Sequence, residues 1–365
     1  VALAEVAAVE QTPGAPGPAA GPGAGGAAGP AVDRGRALAA GGAWLVGGVA
    51  LVAVGLMALS SGPMLARLVV VVAGAAAAYR GYGGVGRALR GPDWDAALWL
   101  SAAWIAVLVV AAVAAPQLPL GEHRDTAAAL TEPSLLRPNL FGEHPLGTNN
   151  FGLDQLSRVV YGARASLLMA LSASAIGLVV GGAIGIVAGT GRGWVDRVVS
   201  TANNSLLAFP PLVLLLALAS VMERDSRNIA LALGALSIPV NIRLARANAM
   251  TVAQEEFVQA ARVMGASRPR ILVREVLPNV VPALLSYALI VMAVLLVAEA
   301  SLSYLGLGVQ APDPSWGNMI AEGEGGMFED HPHLVLVPGG AMFATVLGFN
   351  LVGERLRQRW DRHGR

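Results

Sequence analysis

Few residues of this 365-residue chain have the type and spacing to do chemistry. His331 and His333, in DHPH, could ligate a metal, but structural zinc takes about four ligands and no ligand cluster lies nearby. His123 and His144 stand alone. Serines are plentiful, yet no GxSxG elbow is present, and no His and Asp pair falls inside an apolar run. There is no cysteine, which removes disulfides, thiolate zinc sites and a cysteine nucleophile. All 25 basic residues are arginine. A P-loop needs its lysine on the nucleotide phosphates, so the chain builds no ordinary Walker A site. Any ATP-driven role borrows its energy from a partner chain.

One stretch remains, from Glu255 to Asn279: EEFVQAARVMGASRPRILVREVLPN, charged and lying between two apolar segments. Phe257, Ala260, Ala261 and Met264 fall at i, i+3, i+4 and i+7, one face of a helix. Glu255 and Glu256 suit its N-terminus and Gly265 its end. Ser267 is placed to cap a second short helix, ILVREVLPN, that runs to Pro278 at the membrane. A helix presenting alanines rather than bulky residues lets another surface approach closely, which is a docking element. The alternative is an amphipathic helix lying on lipid headgroups.

The elements that position this stretch follow from composition. Hydrophobic residues make up 55% and charged residues 13%, about half the charge of a soluble domain; mean hydropathy is +0.59. Several nearly uncharged runs are long enough to cross a bilayer. The fold class expected is an all-α membrane protein of about eight spans, near 37–59, 63–79, 97–115, 165–189, 205–222, 229–245, 280–300 and 334–352. The second is short and contains Arg67; the sixth is weak, because Pro239 breaks it. Residues 1–36 are mostly Ala, Gly and Pro and read as a disordered tail. Arg34 and Arg36 come late, directly before the first span, as in an uncleaved anchor rather than a secretory signal. The domains expected are this tail, an additional membrane hairpin at 37–96, a first core span with its external loop at 97–164, a core at 165–357 with a cytoplasmic loop at 247–278, and a basic tail at 358–365.

Arginines near the span ends set the orientation. With the N-terminus in the cytoplasm, eighteen arginines fall inside and six outside, and the C-terminus is cytoplasmic. Two large external segments result, 116–164 and 301–333. The second carries Asp313, Glu322, Glu324, Glu329 and Asp330 and no arginine; these acids read as a solvated face, or else as a contact surface for a partner or cationic solute. Ion-coupled carriers place ionisable groups inside their spans. This chain offers Arg67 in a doubtful span, and Glu299 at the outer end of the seventh, where it is expected to reach water. A self-sufficient pump is not supported.

The 255–279 loop resembles the signature of permease subunits of ATP-binding-cassette importers: a Glu-Ala-Ala triplet, three residues, a glycine, and about nine more before a leucine-proline pair. Gln259-Ala260-Ala261, Gly265 and Leu277-Pro278-Asn279 stand in those places, with Gln259 where the family has glutamate. Further segments are similar to the dipeptide/oligopeptide/nickel permease subfamily, C-type component: HPLGTNNFGLDQLSRVVYGARASLL, LLAFPPLVLLLAL, ASLSYLGLGVQAPDPSWGNMIAEG and VLGFNLVGERLR. Here Asn149, Asn150 and Leu153 depart from the usual charged residues. The resemblance runs from about 140 to 357; residues 1–96 lie outside it, since the family commonly has six spans.

The resemblance implies a type I importer permease in a bacterial inner membrane, taking up dipeptides or oligopeptides, or by the same machinery nickel or another small solute. An ion-coupled carrier and a membrane scaffold without transport are the rivals of other classes. It further implies that Glu256, Gln259, Ala260, Ala261, Arg262, Gly265, Ala266 and Pro278 couple the membrane part to an ATPase. Asp154, Trp316 and Asn318 would serve an external gate or a binding-protein contact. The partners implied are a second permease subunit, two ATP-binding subunits that carry ATP and Mg, an extracytoplasmic solute-binding protein and the lipid bilayer. No cofactor on this chain and no nucleic acid is implied.

Overall fold

The computed structural model describes residues 34–54, 64–91, 94–139, 141–191 and 193–363. Most of the expected tail, residues 1–33, lies outside them. The chain divides into two compact units between Trp94 and Asp95. The first contains α1 (Arg34–Ala53) and α2 (Met64–Arg90), which pack through small residues. A Cβ on Gly48 would stand 2.2 Å from the Ala78 nitrogen, and one on Gly81 2.2 Å from that of Leu45. Backbones this close are the usual basis of helix association in lipid.

The second unit holds α3 (Ala96–Ala114), α4 (Gln155–Ile176), α5 (Gly182–Gly191), α6 (Trp194–Leu207), α7 (Pro211–Val221), α8 (Ser226–Val252), α9 (Glu256–Val263), α10 (Arg268–Ile271), α11 (Leu277–Tyr304), α12 (Trp316–Glu322), α13 (Gly326–Asp330) and α14 (His333–His363). No named strand forms among the described residues; a single bridge pairs Thr148 with Asp154. Among the described residues six helices are long and apolar enough to cross a membrane, or seven if one bent pair counts as a span. That is fewer than the eight expected. The arginine-bearing α2 is not among the six, and the fifth span is broken. Its first part is α6, and at Ala208–Pro210 the chain turns by 85° into α7. The cause is local: Phe209 precedes Pro210 and Pro211, and a residue before proline is pushed out of the helical region.

Three other expectations change. Pro239 does not break the sixth span, because α8 runs unbroken from Ser226 to Val252 and buries the proline. Neighbouring helices make an intramembrane proline tolerable. The stretch 155–164 forms the first turns of α4, which with a π turn at Gly177–Gly181 and α5 makes one continuous helix of 37 residues, Gln155–Gly191. Finally, α14 continues to His363, so the basic tail begins as helix.

The centre of the unit is the α4–α5 rod against α8. Gly177, Gly181, Gly185 and Gly189, four residues apart, face Ser237, Asn241, Ala245 and Ala249. A Cβ at Gly185 would lie 2.5 Å from the Ile242 carbonyl oxygen, so only glycine permits this approach. Ser237 donates across the seam to the Ala173 carbonyl at 3.0 Å. α11 packs against α4, α8 and α14, and α14 against α3.

Candidate functional site

At one end of the unit, α8 stops at Val252 and the chain reverses through residues 253–255 into α9. Gly265 ends α9 with φ +82°. Its N–H reaches the Arg262 carbonyl and the Ala266 N–H reaches that of Ala261, both at 3.0 Å, the pairing of a Schellman motif. Glu256 lies in the first turn and Arg262 in the last, each suiting the helix dipole.

The expected face is turned. Val258 and Ala261 are the buried positions, packed against Ala245, Ala249, Ile271 and Val276. Phe257, Ala260, Val263 and Met264 are exposed, Val263 and Met264 at 88% and 80%. Of the alanine pair, then, Ala261 anchors the helix and Ala260 faces outward. Gln259 holds the junction. Its amide donates to the Ala253 carbonyl at the end of α8 (3.1 Å), and its Oε1 accepts from Arg262 (3.4 Å).

The second arm differs from expectation. Ser267 precedes α10 but makes no side-chain cap, and the helix does not stop at Pro278. α10, a π turn at Leu272–Val276 and α11 form one 37-residue rod, Arg268–Tyr304. Pro278 has no N–H for the preceding turn, and the widened turn lies immediately before it. One continuous helix therefore joins the loop after α9 to the far end of the bundle. Arg246 of α8 also pairs with Asp196 of α6.

The far end is a polar cap built from residues 118–154 and α12. Asp154 caps α4, accepting from the Ser157 N–H at 2.7 Å, and lies 2.9 Å from His144 Nδ1. His144 Nε2 faces Glu132 at 3.4 Å. Burial pulls the His144 imidazole down, but the hydrogen bonds and charges of Asp154 and Glu132 together hold it above its ordinary value. His123 stacks on Tyr161 with centroids 3.6 Å apart, and burial pushes it below the usual range. Arg158, 1% exposed, donates to Glu322 at 2.6 Å, and Asn149 Nδ2 donates to the same carboxylate at 3.2 Å. Arg124 pairs with Asp313 at 2.9 Å.

The solvated-face reading thus holds for Glu324, Glu329 and Asp330, which are exposed, and for Asp313, half exposed in its pair with Arg124, and fails for Glu322, which ties α12 to α4. Glu299 is also corrected. It is fully buried, its carboxylate accepting from Ser166 Oγ of α4 and Ser303 Oγ, each at 2.7 Å. Ser303 lies four residues on along the same helix, whereas Ser166 comes from α4, a partner that sequence spacing does not reveal. Departures from the family pattern are also absorbed. Asn149 Oδ1 accepts from the Leu153 N–H at 2.9 Å, and Leu153 is buried.

The three residues read as gate or contact sites are all internal. Trp316 is fully buried and donates to the Val159 carbonyl at 3.1 Å. Asn318 closes a capping box with Ser315, and Asp154 caps α4. Each positions the cap rather than presenting its side chain at the surface. His331 and His333 lie edge to face, centroids 5.8 Å apart, and among the described residues no three His, Asp or Glu side chains converge as a metal site.

Residues 181–363 match the family described as binding-protein-dependent transport system inner membrane component. The chain is 32% identical to the dipeptide transport system permease protein DppC of Alkalihalophilus pseudofirmus, over 70% of this chain and 83% of the relative. It is 36% identical to the glutathione transport system permease protein GsiD of Pectobacterium atrosepticum, over 60% and 72%. Among solved structures it is similar to a chain of the MetNI methionine ABC transporter in inward-facing conformations, with TM-score 0.46 and 19% identity over 56% of this chain and 96% of that one.

Proposed function

Since the chain belongs to the family of binding-protein-dependent transport system inner membrane components, we propose that it is the C-type permease subunit of a peptide importer, with α9 as its coupling helix. The observation that carries this is the exposed face of α9. Phe257, Ala260, Val263 and Met264 form an apolar strip at the end of the most buried span, fixed to α8 by Gln259 and to the α10–α11 rod by Gly265 and Ala266. A partner ATPase subunit, holding ATP and Mg, would receive that strip. Closure of two such subunits would move α9, and α9 would move the rod whose far end carries Glu299 and packs against α4. Two discrete packings of these helices suit alternating access.

The remaining parts follow the same reading. α9 and both termini lie in the cytoplasm, the polar cap lies outside, a solute-binding protein delivers to that cap, and a second permease subunit completes the path. The relatives are named for dipeptide and glutathione, and short peptides are the shared class. The test is uptake of a labelled dipeptide by vesicles holding this chain with its partners. Ala260→Arg and Met264→Glu, both at exposed positions, should abolish uptake and ATPase stimulation while leaving membrane insertion unchanged. Full ATPase stimulation in both variants would refute the coupling assignment, whereas wild-type coupling without dipeptide uptake would refute the peptide assignment alone.

A further inference from the structure

The broken fifth span puts irregular backbone at membrane depth. α8 runs parallel to the α4–α5 rod, since Gly177 meets Ser237 and Gly189 meets Ala249, so α8 starts at the end where the polar cap lies. Residues 222–225 join that start to the last residue of α7, Val221. Leu215 and Ala219 hold α7 in the same buried cluster as Ile229, Ala232 and Leu233 of α8. With 11 residues α7 rises about 16 Å, close to half of a hydrocarbon core of about 30 Å. The bend at Ala208–Pro210 therefore lies near the middle of the membrane.

The bend leaves polar groups of both kinds unpaired. Pro211 brings no N–H, so the Leu207 carbonyl loses the donor that a continuous helix would give it. The 85° turn separates the Ala208 and Phe209 carbonyls from the N–H groups of Leu212 and Val213, and no side chain caps α7. Phe209, Leu212 and Val213 are exposed. On α6, Thr201, Asn204, Ser205 and Ala208 fall at i, i+3, i+4 and i+7, an exposed and mostly polar face that leads to the bend. Lipid satisfies none of these groups, and irregular backbone at this depth persists only inside protein or against a water-filled cavity. A helix of another subunit has its own N–H and C=O groups already paired, so it offers the bend side chains alone. Water meets donors and acceptors together.

Resting on the importer reading above, we propose that the α6–α7 bend lines the water-filled path of the solute, with Phe209 and Leu212 as side chains that the peptide passes. The chain has no cysteine, so a single thiol can be placed in it without background. In vesicles holding this chain with its partners, Phe209→Cys and Leu212→Cys are treated with N-ethylmaleimide, and the adduct is read from the mass of this chain. Val107→Cys is the reference, an exposed position on the strongly apolar α3. Both bend positions should react at least about tenfold faster than Val107→Cys, because only a hydrated thiol ionises readily. The adduct at position 209 should also block dipeptide uptake. Reaction at both positions as slow as in Val107→Cys would overturn the proposal and leave the bend covered by the second subunit. Full uptake by the modified Phe209→Cys protein would overturn it as well. Leu212→Cys alone decides if Phe209→Cys does not insert. Wild-type vesicles with ATPase stimulation but no dipeptide uptake would remove the peptide assignment only, and the labelling contrast would still judge the path.

Discussion

Arg158 on α4 and Glu322 on α12 are 164 residues apart in sequence and 2.6 Å apart in space, with the arginine buried and Asn149 bonded to the same carboxylate. This pair fastens the polar cap to the first turn of the α4–α5 rod. Removing one member of a buried pair strands the other, at roughly 3–5 kcal/mol. Glu322→Leu should therefore lower the thermal midpoint of the detergent-solubilised protein more than Arg158→Met, because it leaves the buried guanidinium without its acceptor, whereas in Arg158→Met the carboxylate keeps the Asn149 N–H and partial solvent. The double variant Arg158→Met with Glu322→Leu should recover most of the loss. Equal midpoints for wild type and Arg158→Met would contradict the role assigned to the pair.

Gln259 acts as a donor toward Ala253, and a carboxylate cannot donate to a carbonyl. Gln259→Glu should therefore loosen the α8–α9 junction by about 1 kcal/mol, the net worth of a typical hydrogen bond. Hydrogen exchange over residues 255–264 should rise about fivefold, with the α4–α8 seam unaffected. Unchanged exchange would show that Arg262 and the Schellman turn hold the junction without it.

The His144 clasp gives a pH dependence. Its value is raised in the folded protein by Asp154 and Glu132 against the pull of burial. The stabilisation is thus fully present below the unfolded imidazole value of about 6.5 and is lost as pH rises through the higher folded value. Proteolysis of residues 132–147 should accelerate on going from about pH 6 to pH 9, and His144→Gln should flatten that profile. A loop that tightens with rising pH would reverse the sign and refute the clasp.

The glycine seam predicts a sharp positional contrast. A Cβ at Gly185 would stand 2.5 Å from a backbone oxygen of α8, whereas at Gly191 nothing lies within 4 Å. Gly185→Leu should destabilise the α5–α8 contact by at least about 1–3 kcal/mol, the usual range for overpacking. Gly191→Leu should be near neutral. Unfolding in mixed micelles distinguishes them.

How much of this was legible in the sequence depends on the range of the interaction. Long apolar runs, the Gly265 stop and the acid-to-base polarity of α9 are local, so the membrane class and the short helix of the 255–265 loop could be read directly. The helix face could be read only up to a rotation. Phe257, Ala260, Ala261 and Met264 share a stripe by periodicity, but whether Ala260 or Ala261 points inward depends on where Ala245, Ile271 and Val276 lie, and those contacts are set by packing between helices. The same holds for Pro239 and Pro278, where neighbouring helices and a π turn override a local breaking tendency. The acids were the least legible. Glu299 and Glu322 look like surface charge along the chain, because their partners Ser166 and Arg158 arrive from α4, more than 130 residues away. Composition decides that a chain enters the membrane; only the tertiary fold decides which of its charges stay wet, since a buried charge is tolerable just where distant donors converge on it.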